Sequence, residues 1–309
     1  MSFSLADKHI VVNYHYIEPE NSRLSGAHPC FISDFSHQLD FLAHHYRLVS
    51  VGEVFEAARE NDPERFCAIT FDDGLRGQYN YAVPLLKRVK AQGTFFIITS
   101  VLQGRLPSAH RVHVLLSHFS VAELIRLFHV FLKDFYPDLA SQYRIDIKKR
   151  LTRRRLHEDI ATANFKETLI VLPEDIKAQF LRYCFKKFNL DADEINRDIF
   201  IGEKEIRILK KDGLEIGSHT HNHYALDAIS PSTFTGDIKL SAATLLNLTN
   251  QSPSVFSYPH GRLQEAVKPV LTEVGFKYAV TIERRGLKTD DDKFLIPRYD
   301  AADIKVFLS

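Results

Sequence analysis

The sequence predicts an α/β protein built as an irregular parallel (β/α) barrel, TIM-like, with a mainly helical insertion. Short apolar runs rich in β-branched and aromatic residues alternate along the chain with amphipathic helical stretches. About eight such runs occur, and this number favours a closed barrel over an open sheet. One long stretch, residues 104–205, has helical periodicity and no convincing strand.

Before the insertion, the alternation of strand and helix is regular. We predict strands at 9–14, 47–50, 66–71 and 94–99, and helices at 35–43, 51–60 and 81–92. Ser33 or Asp34 can cap the first helix, and Gly93 can end the last one. The run Phe-Cys-Ala-Ile-Thr-Phe at 66–71 is the clearest strand, because a continuous apolar run is typical of a strand buried on both faces.

Within and after the insertion the pattern changes and then resumes. Helices are expected at 121–135 and 174–188, then at 205–211, 231–248 and 264–274, and strands at 214–218, 255–258, 278–282 and 294–298. We expect residues 1–309 to form a single domain with 104–205 inserted in it. The insertion carries a basic block at 148–155, either a solvated helix face or a patch that meets an anionic sugar, a phosphate or a nucleotide-linked substrate.

Composition excludes several functional classes. Lys and Arg total 40 and Asp and Glu total 39, so the chain has no general attraction to nucleic acid. It has no apolar run long enough to span a membrane, although peripheral membrane contact through the basic block stays open. Three distant cysteines and no recognisable signal segment lead us to expect a cytoplasmic location.

Polar side chains follow the predicted strands where each strand ends. The residues at these ends are His15, Asp72 and Asp73, the histidines from His219 to His223, His260, and Arg298. Because the carboxyl ends of parallel strands meet at one edge, these side chains should lie close together. The sequence therefore places the chemistry of this protein at that edge.

Two adjacent carboxylates, Asp72 and Asp73, repel each other unless a cation is near. A divalent metal can take one carboxylate as a ligand and leave the other free as a base. The alternative is that Asp-Asp-Gly is an ordinary turn, since these are common turn residues.

Three histidines follow the strand 214–218, in the run Ser-His-Thr-His-Asn-His. His219 and His223 are four residues apart, so a helical turn would place both rings on one face, and His221 could replace either. Two imidazoles and one carboxylate suit zinc, and three protein ligands are typical of a catalytic site. The alternative is a histidine-rich surface loop.

The chain resembles the NodB-type polysaccharide deacetylases, carbohydrate esterase family four. The resemblance rests on TFDDG at 70–74, on His219 and His223 in the motif H-S/T-x-x-H, and on FSYPHG at 256–261. It covers about residues 9–103 and 206–300. It implies a NodB homology fold, an irregular (β/α) barrel, and removal of N-acetyl groups from an amino-sugar unit of a polysaccharide or its precursor.

The resemblance also implies roles for individual residues. Asp72 would be the general base, and Asp73, His219 and His223 would hold a divalent metal ion, expected to be zinc. The segment with Tyr258, Pro259 and His260 would line the substrate groove, and the backbone N–H of His260 would help to bind the oxyanion.

Two departures from the family pattern matter. The family's third motif has Tyr where this chain has His260, and often an Arg where this chain has Ser257. Arg298, assigned to the substrate-binding set, could reach the same place and orient Asp72. The run Asn-Tyr-His-Tyr at 13–16 is similar to the start of poly-N-acetylglucosamine deacetylases, which implies His15 as general acid, with His260 as its competitor.

Two other functions stay open at this stage. The same scaffold could hydrolyse another linear amide, of the formamide or ureide type. It could also be a catalytically silent sugar-binding protein, although a binder has no need of a second carboxylate beside the metal ligand. The expected partner is a carbohydrate substrate, an N-acetylated sugar, oligosaccharide or polysaccharide, and not a nucleic acid.

Overall fold

The computed structural model describes residues 6–152 and 158–304. The chain divides into two compact units. The sheet unit comprises Met1–Ser22, Pro29–Arg105 and Asn196–Ser309, and the helical unit comprises Arg23–His28 and Leu106–Ile195.

The strands of the sheet unit are parallel and belong to one eight-stranded sheet and one small pair. In chain order they are His9–Tyr14 (β1), Ile17–Glu18 (β2), Cys30–Phe31 (β3), Arg47–Leu48 (β4), Phe66–Phe71 (β5), Thr94–Ile97 (β6), Glu215–Ser218 (β7), Val255–Ser257 (β8), Tyr278–Val280 (β9) and Tyr299–Asp300 (β10). The large sheet runs β10-β1-β5-β6-β7-β8-β9, with β4 also paired to β5, while β2 pairs with β3.

Helices connect most of these strands or build the helical unit. They are Ile32–His45 (α1), Val51–Arg59 (α2), Val83–Arg88 (α3), Ser108–His118 (α4), Val121–Phe135 (α5), Ile160–Val171 (α6), Glu174–Lys187 (α7), Ala192–Ile199 (α8), Glu203–Lys211 (α9), Pro231–Thr249 (α10), Val267–Val274 (α11) and Ala301–Ile304 (α12). In the described part of the chain no helix is both long and apolar enough to cross a membrane.

Several helix boundaries differ from the prediction, and for two of them the structure shows how the helix begins or ends. The first helix begins at Ile32, with Phe31 in the capping position, so Ser33 and Asp34 lie in the first turn and not at the cap. The predicted helix 81–92 is shorter and irregular: Pro84 cannot donate a backbone hydrogen bond, a π-helical turn spans Gln78–Ala82, and the helix ends at Arg88. Lys90, with a φ of 55°, then turns the chain away.

The last predicted strand, 294–298, also differs. Ile296 makes a single parallel bridge to Val280 of β9, and the regular strand begins only at Tyr299, where it pairs with β1. The segment 296–300 therefore pairs first with β9, at one end of the sheet, and then with β1, at the other end. This curls the sheet into an irregular (β/α) barrel, the fold class that the sequence predicted.

Both faces of the central strands are buried, which explains their continuous apolar runs. Along β1, Ile10, Val12 and Tyr14 pack in one apolar cluster with residues of α1, whereas Val11 packs in another with Ala68 and Phe96. The second cluster also takes Val280 and Ile296 from the ends of the sheet. The residues of this second cluster thus point to the same side of the sheet and form the barrel interior.

The helical unit has an aromatic core of its own. Phe128 and Phe131 of α5 contact Phe180 of α7, with ring centroids 5.0 and 5.5 Å apart. A buried ion pair joins Lys166 to Glu158 at 2.6 Å. Of the basic block, Lys148 and Lys149 are exposed, and Arg153, Arg154 and Arg155 lie outside the described residues.

Gly217 of β7 offers a test of this packing. A Cβ there would lie 2.5 Å from Cδ1 of Phe96 and 2.9 Å from the carbonyl oxygen of Val255. We expect Gly217→Ala to lower the free energy of unfolding by about 1–3 kcal/mol, because an overpacked core must shift. Urea unfolding followed by circular dichroism measures the loss.

The matched control for this prediction is Gly236→Ala. Gly236 lies inside α10, and a Cβ there would meet no atom within 4 Å. Alanine favours the helix, so this change should leave stability unchanged or raise it by up to about 1 kcal/mol. Equal behaviour of the two variants would contradict the packing described here.

Candidate active site

Strand register brings the polar residues to one edge of the sheet unit. Tyr14, the last residue of β1, is paired with Phe71, the last residue of β5, so His15 and Asp72 leave the sheet side by side. Ser218, the last residue of β7, is paired with Phe256 of β8, so His219 leaves the same edge near Ser257. The predicted meeting of strand ends is therefore present in the structure.

Asp73, His219 and His223 converge on one point. The Oδ1 atom of Asp73 lies 3.4 Å from Nε2 of His219 and 3.5 Å from Nε2 of His223. The three candidate ligand atoms lie within 4.8 Å of one another. The three side chains are almost fully buried, so this cluster lies inside the protein and is not an exposed loop.

Hydrogen bonding fixes the orientation of His219. Its Nδ1 atom lies 2.8 Å from the carbonyl oxygen of Ser257, and because a carbonyl can only accept, Nδ1 carries the proton. The lone pair of Nε2 then points toward Asp73. Burial lowers the pKa of His219 despite the nearby charges of Asp72 and Asp73, so the imidazole is held in its neutral, metal-binding form.

This cluster fits a divalent metal ion. Two ligand atoms that are each about 2.0–2.1 Å from a tetrahedral zinc ion lie roughly 3.4 Å apart. The separations from Asp73 to the two imidazoles, 3.4 and 3.5 Å, match that value. Two imidazole nitrogens and one carboxylate oxygen are also a donor set that zinc prefers.

Asp72 makes a different contact, a two-pronged ion pair with Arg298. Nη1 of Arg298 donates to Oδ1 of Asp72 at 2.9 Å, and Nη2 donates to Oδ2 at 2.8 Å. Burial alone would raise the pKa of Asp72, but opposing charges, of which the guanidinium of Arg298 is the strongest, hold that pKa well below its usual range. Asp72 therefore stays ionised.

Arg298 itself lies beneath the site. It is 1% exposed, and it also donates to the side chains of Asn13, Thr70 and Ser257 and to the carbonyl oxygen of Thr281. A side chain so enclosed does not reach a substrate, so its assignment to the substrate-binding set is not supported. The alternative expectation, that Arg298 orients Asp72, agrees with these contacts.

His15 lies on the open side of Asp72. Its Nε2 atom is 3.8 Å from Oδ2 of Asp72, and its side chain is 42% exposed. Asn13 connects the two residues, since its amide donates to Asp72 at 3.2 Å and lies 3.5 Å from Nδ1 of His15. Sequence reasoning noted Asn13 only as part of the run 13–16 and missed this bridging position.

The segment predicted to line the substrate groove, residues 258–260, is largely buried. Tyr258 is 1% exposed in an apolar cluster, and its hydroxyl donates to the carbonyl oxygen of Phe294. Pro259 is buried as well. Neither side chain is exposed, so the place of both residues in a substrate groove stays a prediction. His260 is half-buried, and its ring packs edge-on against His223 with centroids 4.6 Å apart.

Sequence reasoning also missed Tyr16 and Ser257. Burial raises the pKa of Tyr16 far above its usual value, and the charge of Asp73 raises it further, so Tyr16 is a neutral phenol close to Asp73. Ser257 supports two site residues, His219 through its carbonyl and Arg298 through its hydroxyl. The sequence did offer a signal for Ser257, because this residue stands where the family often has arginine.

The ion pair can be tested by a double-mutant cycle. We expect Arg298→Met to lower the free energy of unfolding by about 3–5 kcal/mol, because it leaves the buried Asp72 charge without its partner. Adding Asp72→Asn removes that charge, so the double variant should be less destabilised than the sum of the two single variants, by about 0.5–3 kcal/mol. Chemical unfolding of all four proteins measures this difference, and strictly additive losses would contradict the coupling.

Comparisons with known proteins agree with this geometry. The family model described as polysaccharide deacetylase matches residues 59–114 and 158–279, more than half of the chain. A curated relative, the poly-beta-1,6-N-acetyl-D-glucosamine N-deacetylase of Staphylococcus aureus strain MSSA476, is 28% identical over 107 residues. This match covers 32% of the present chain and 37% of the relative, so the similarity spans little more than a third of that protein.

Solved structures share the fold along nearly the whole chain. The Streptococcus pyogenes deacetylase PplD in complex with acetate superposes with a TM-score of 0.59 at 17% identity, covering 95% of this chain and 92% of its own. IcaB from Ammonifex degensii gives a TM-score of 0.57 at 16% identity, covering 97% of each chain. The fold and the family model together lead to one assignment: this chain belongs to the polysaccharide deacetylase family.

Proposed function

We propose that this protein is a metal-dependent hydrolase that removes N-acetyl groups from an amino-sugar unit of a polysaccharide or of its precursor. One observation carries the proposal. Asp73, His219 and His223 form a compact donor set, and directly beside it Asp72 is kept ionised by Arg298. A site with three ligands and a separate carboxylate is suited to hydrolysis rather than to binding alone.

The metal ion and Asp72 have separate roles. A bound divalent ion, which we propose to be zinc held by Asp73, His219 and His223, supplies Lewis acidity that polarises the amide carbonyl and makes water easier to deprotonate. Asp72 accepts the proton of the attacking water. Arg298 and Asn13 hold its carboxylate in place, so Asp72 does not need to reorient when it acts.

Breaking the amide requires a proton for the departing amine. We assign this role to His15, which lies on the open side of the site, 3.8 Å from Asp72 and 42% exposed. His260 is the competing candidate. Because His260 packs against His223, we propose that it borders the substrate and that its backbone N–H faces the oxyanion.

The substrate class follows from the relative rather than from the geometry. The Staphylococcus aureus relative is named for a β-1,6-linked N-acetylglucosamine polymer, and we propose an N-acetylated amino sugar for this chain also. Acetate release from β-1,6- and β-1,4-linked N-acetylglucosamine oligomers, with zinc supplied, tests this directly. Formate release from formylated amines without acetate release would favour the other amide class instead.

Substitutions of the two aspartates should separate metal binding from chemistry. We expect Asp73→Ala to abolish zinc retention after dialysis, because it removes the only carboxylate of the donor set found in the described residues. We expect Asp72→Asn to keep the zinc and to lower turnover by about 10²–10⁴-fold, the usual contribution of a general base. Elemental analysis and acetate release measure the two effects.

Asp290→Asn is the control for these variants, since Asp290 is exposed on a loop. It should retain zinc and full turnover. Normal turnover in Asp72→Asn, or full zinc content in Asp73→Ala, would overturn the assignment of the two carboxylates.

Substitution of His15 should affect substrates according to their leaving group. We expect His15→Ala to slow hydrolysis of an N-acetyl amino sugar by about 10²-fold, because an amine leaves only after protonation. An acetate ester with an acidic phenol as leaving group needs no such proton, so its hydrolysis should change little. Initial rates on both substrates measure this difference. His37→Ala, on the exposed side of α1, is the control and should leave both rates unchanged. Equal losses on the two substrates in His15→Ala would move the acid role to His260.

A further inference from the structure

The turn that carries two of the three proposed metal ligands has an unusual backbone. Thr220 has a φ of 65° and His223 a φ of 60°, in the left-handed region that favours glycine. Neither residue is glycine, and the turn follows directly on β7. Other groups must hold this conformation, because an isolated turn of this sequence would relax away from it.

One carboxylate binds the middle of this turn. The Asp237 side chain, 5% exposed, projects from α10, and its Oδ2 accepts the backbone N–H of His221 at 2.8 Å. Its Oδ1 accepts the backbone N–H of Asn222 at 3.1 Å and the side-chain amide of Asn222 at 2.7 Å. Both oxygens are therefore used on two consecutive residues that lie between His219 and His223.

The opposite side of the turn is held by β6 and the residues after it. The backbone N–H groups of Thr99 and Ser100 donate to the carbonyl oxygens of Thr220 and His221, and Thr99 Oγ1 lies 2.9 Å from Nδ1 of His221. His221 is thus occupied by structural contacts and is not part of the donor set. The side chain of Thr220 accepts from the backbone of His223 at 3.0 Å.

We propose that Asp237 is a positioning residue for the metal centre. It clamps the turn 219–223 so that the two imidazoles face Asp73 before any ion binds. The proposal rests on the proposed function, since it assumes that Asp73, His219 and His223 bind a metal. It adds a residue from α10 that touches neither the ion nor the substrate and acts only through the backbone of His221 and Asn222.

The geometry explains why a carboxylate is required here. Three N–H groups point at the two oxygens, and an amide in the same place would present one NH₂ group to these donors. Asp237→Asn keeps the size of the side chain but replaces one acceptor with a donor. At least one N–H of the turn then loses its partner, and the orientation of the imidazoles is no longer fixed.

The test measures metal binding in the full chain and does not depend on turnover. We expect Asp237→Asn to weaken zinc affinity by about 10–100-fold in competition with a chromophoric chelator, the usual effect of a residue that orients metal ligands. The visible absorption bands of the cobalt(II)-substituted protein should also change in position or intensity, because they report ligand geometry. The far-ultraviolet circular dichroism of the metal-free protein should match the parent.

Thr244→Ala is the matched control on the same helix. The side-chain hydroxyl of Thr244 donates to the carbonyl oxygen of Leu240 within α10, away from the turn. It should leave zinc affinity and the cobalt spectrum unchanged. Parent-like affinity and spectrum in a folded Asp237→Asn would overturn the proposal, even if that variant were less stable to heat.

A second variant keeps the test decisive if Asp237→Asn does not fold. Asn222→Ala removes the 2.7 Å side-chain bond and leaves the Asp237 carboxylate in place. We expect a smaller loss of zinc affinity, about threefold, with a shifted cobalt spectrum, and parent values would overturn the proposal. If the unaltered protein bound no zinc at all, the proposed function would fail first, so the two failures can be distinguished.

Discussion

The structure of the site depends on the burial of two adjacent negative charges. Asp72 and Asp73 are 2% and 3% exposed, and burying one carboxylate without a positive partner is costly. Arg298 satisfies Asp72 with two parallel hydrogen bonds. Asp73 faces two imidazoles, of which His219 is held neutral, so a cation between these three groups would complete the balance of charge.

Much of this arrangement is visible in the sequence. The continuous apolar run of β5 ends at Asp72 and Asp73, and in a parallel sheet that position lies on the same edge as the end of β7, where the histidines follow. The fold class, and the meeting of these carboxylates and histidines at one edge, follow from strand order. The choice of His219 and His223 over His221, which the sequence left open, depends on the direction of side chains in a turn with two positive φ angles.

What the sequence could not specify are contacts between remote segments. The sequence predicts that Arg298 can orient Asp72, but no local pattern encodes the two-pronged ion pair that this side chain makes through the barrel interior. Tyr258 reads as a groove residue in its motif, yet its ring packs into an apolar cluster. Asp237 lies in a helix whose sequence shows only ordinary amphipathic spacing, and its role becomes visible only when α10 is placed beside the turn.

The position of Arg298 has a consequence for biosynthesis. The guanidinium that neutralises Asp72 is added 226 residues later in the chain. A nascent polypeptide that ended before that point would also lack Ile296 and β10, which pair with the two ends of the sheet, so the partly made barrel could not close. Compensation of the Asp72 charge and closure of the sheet therefore both wait until translation has passed the last strands.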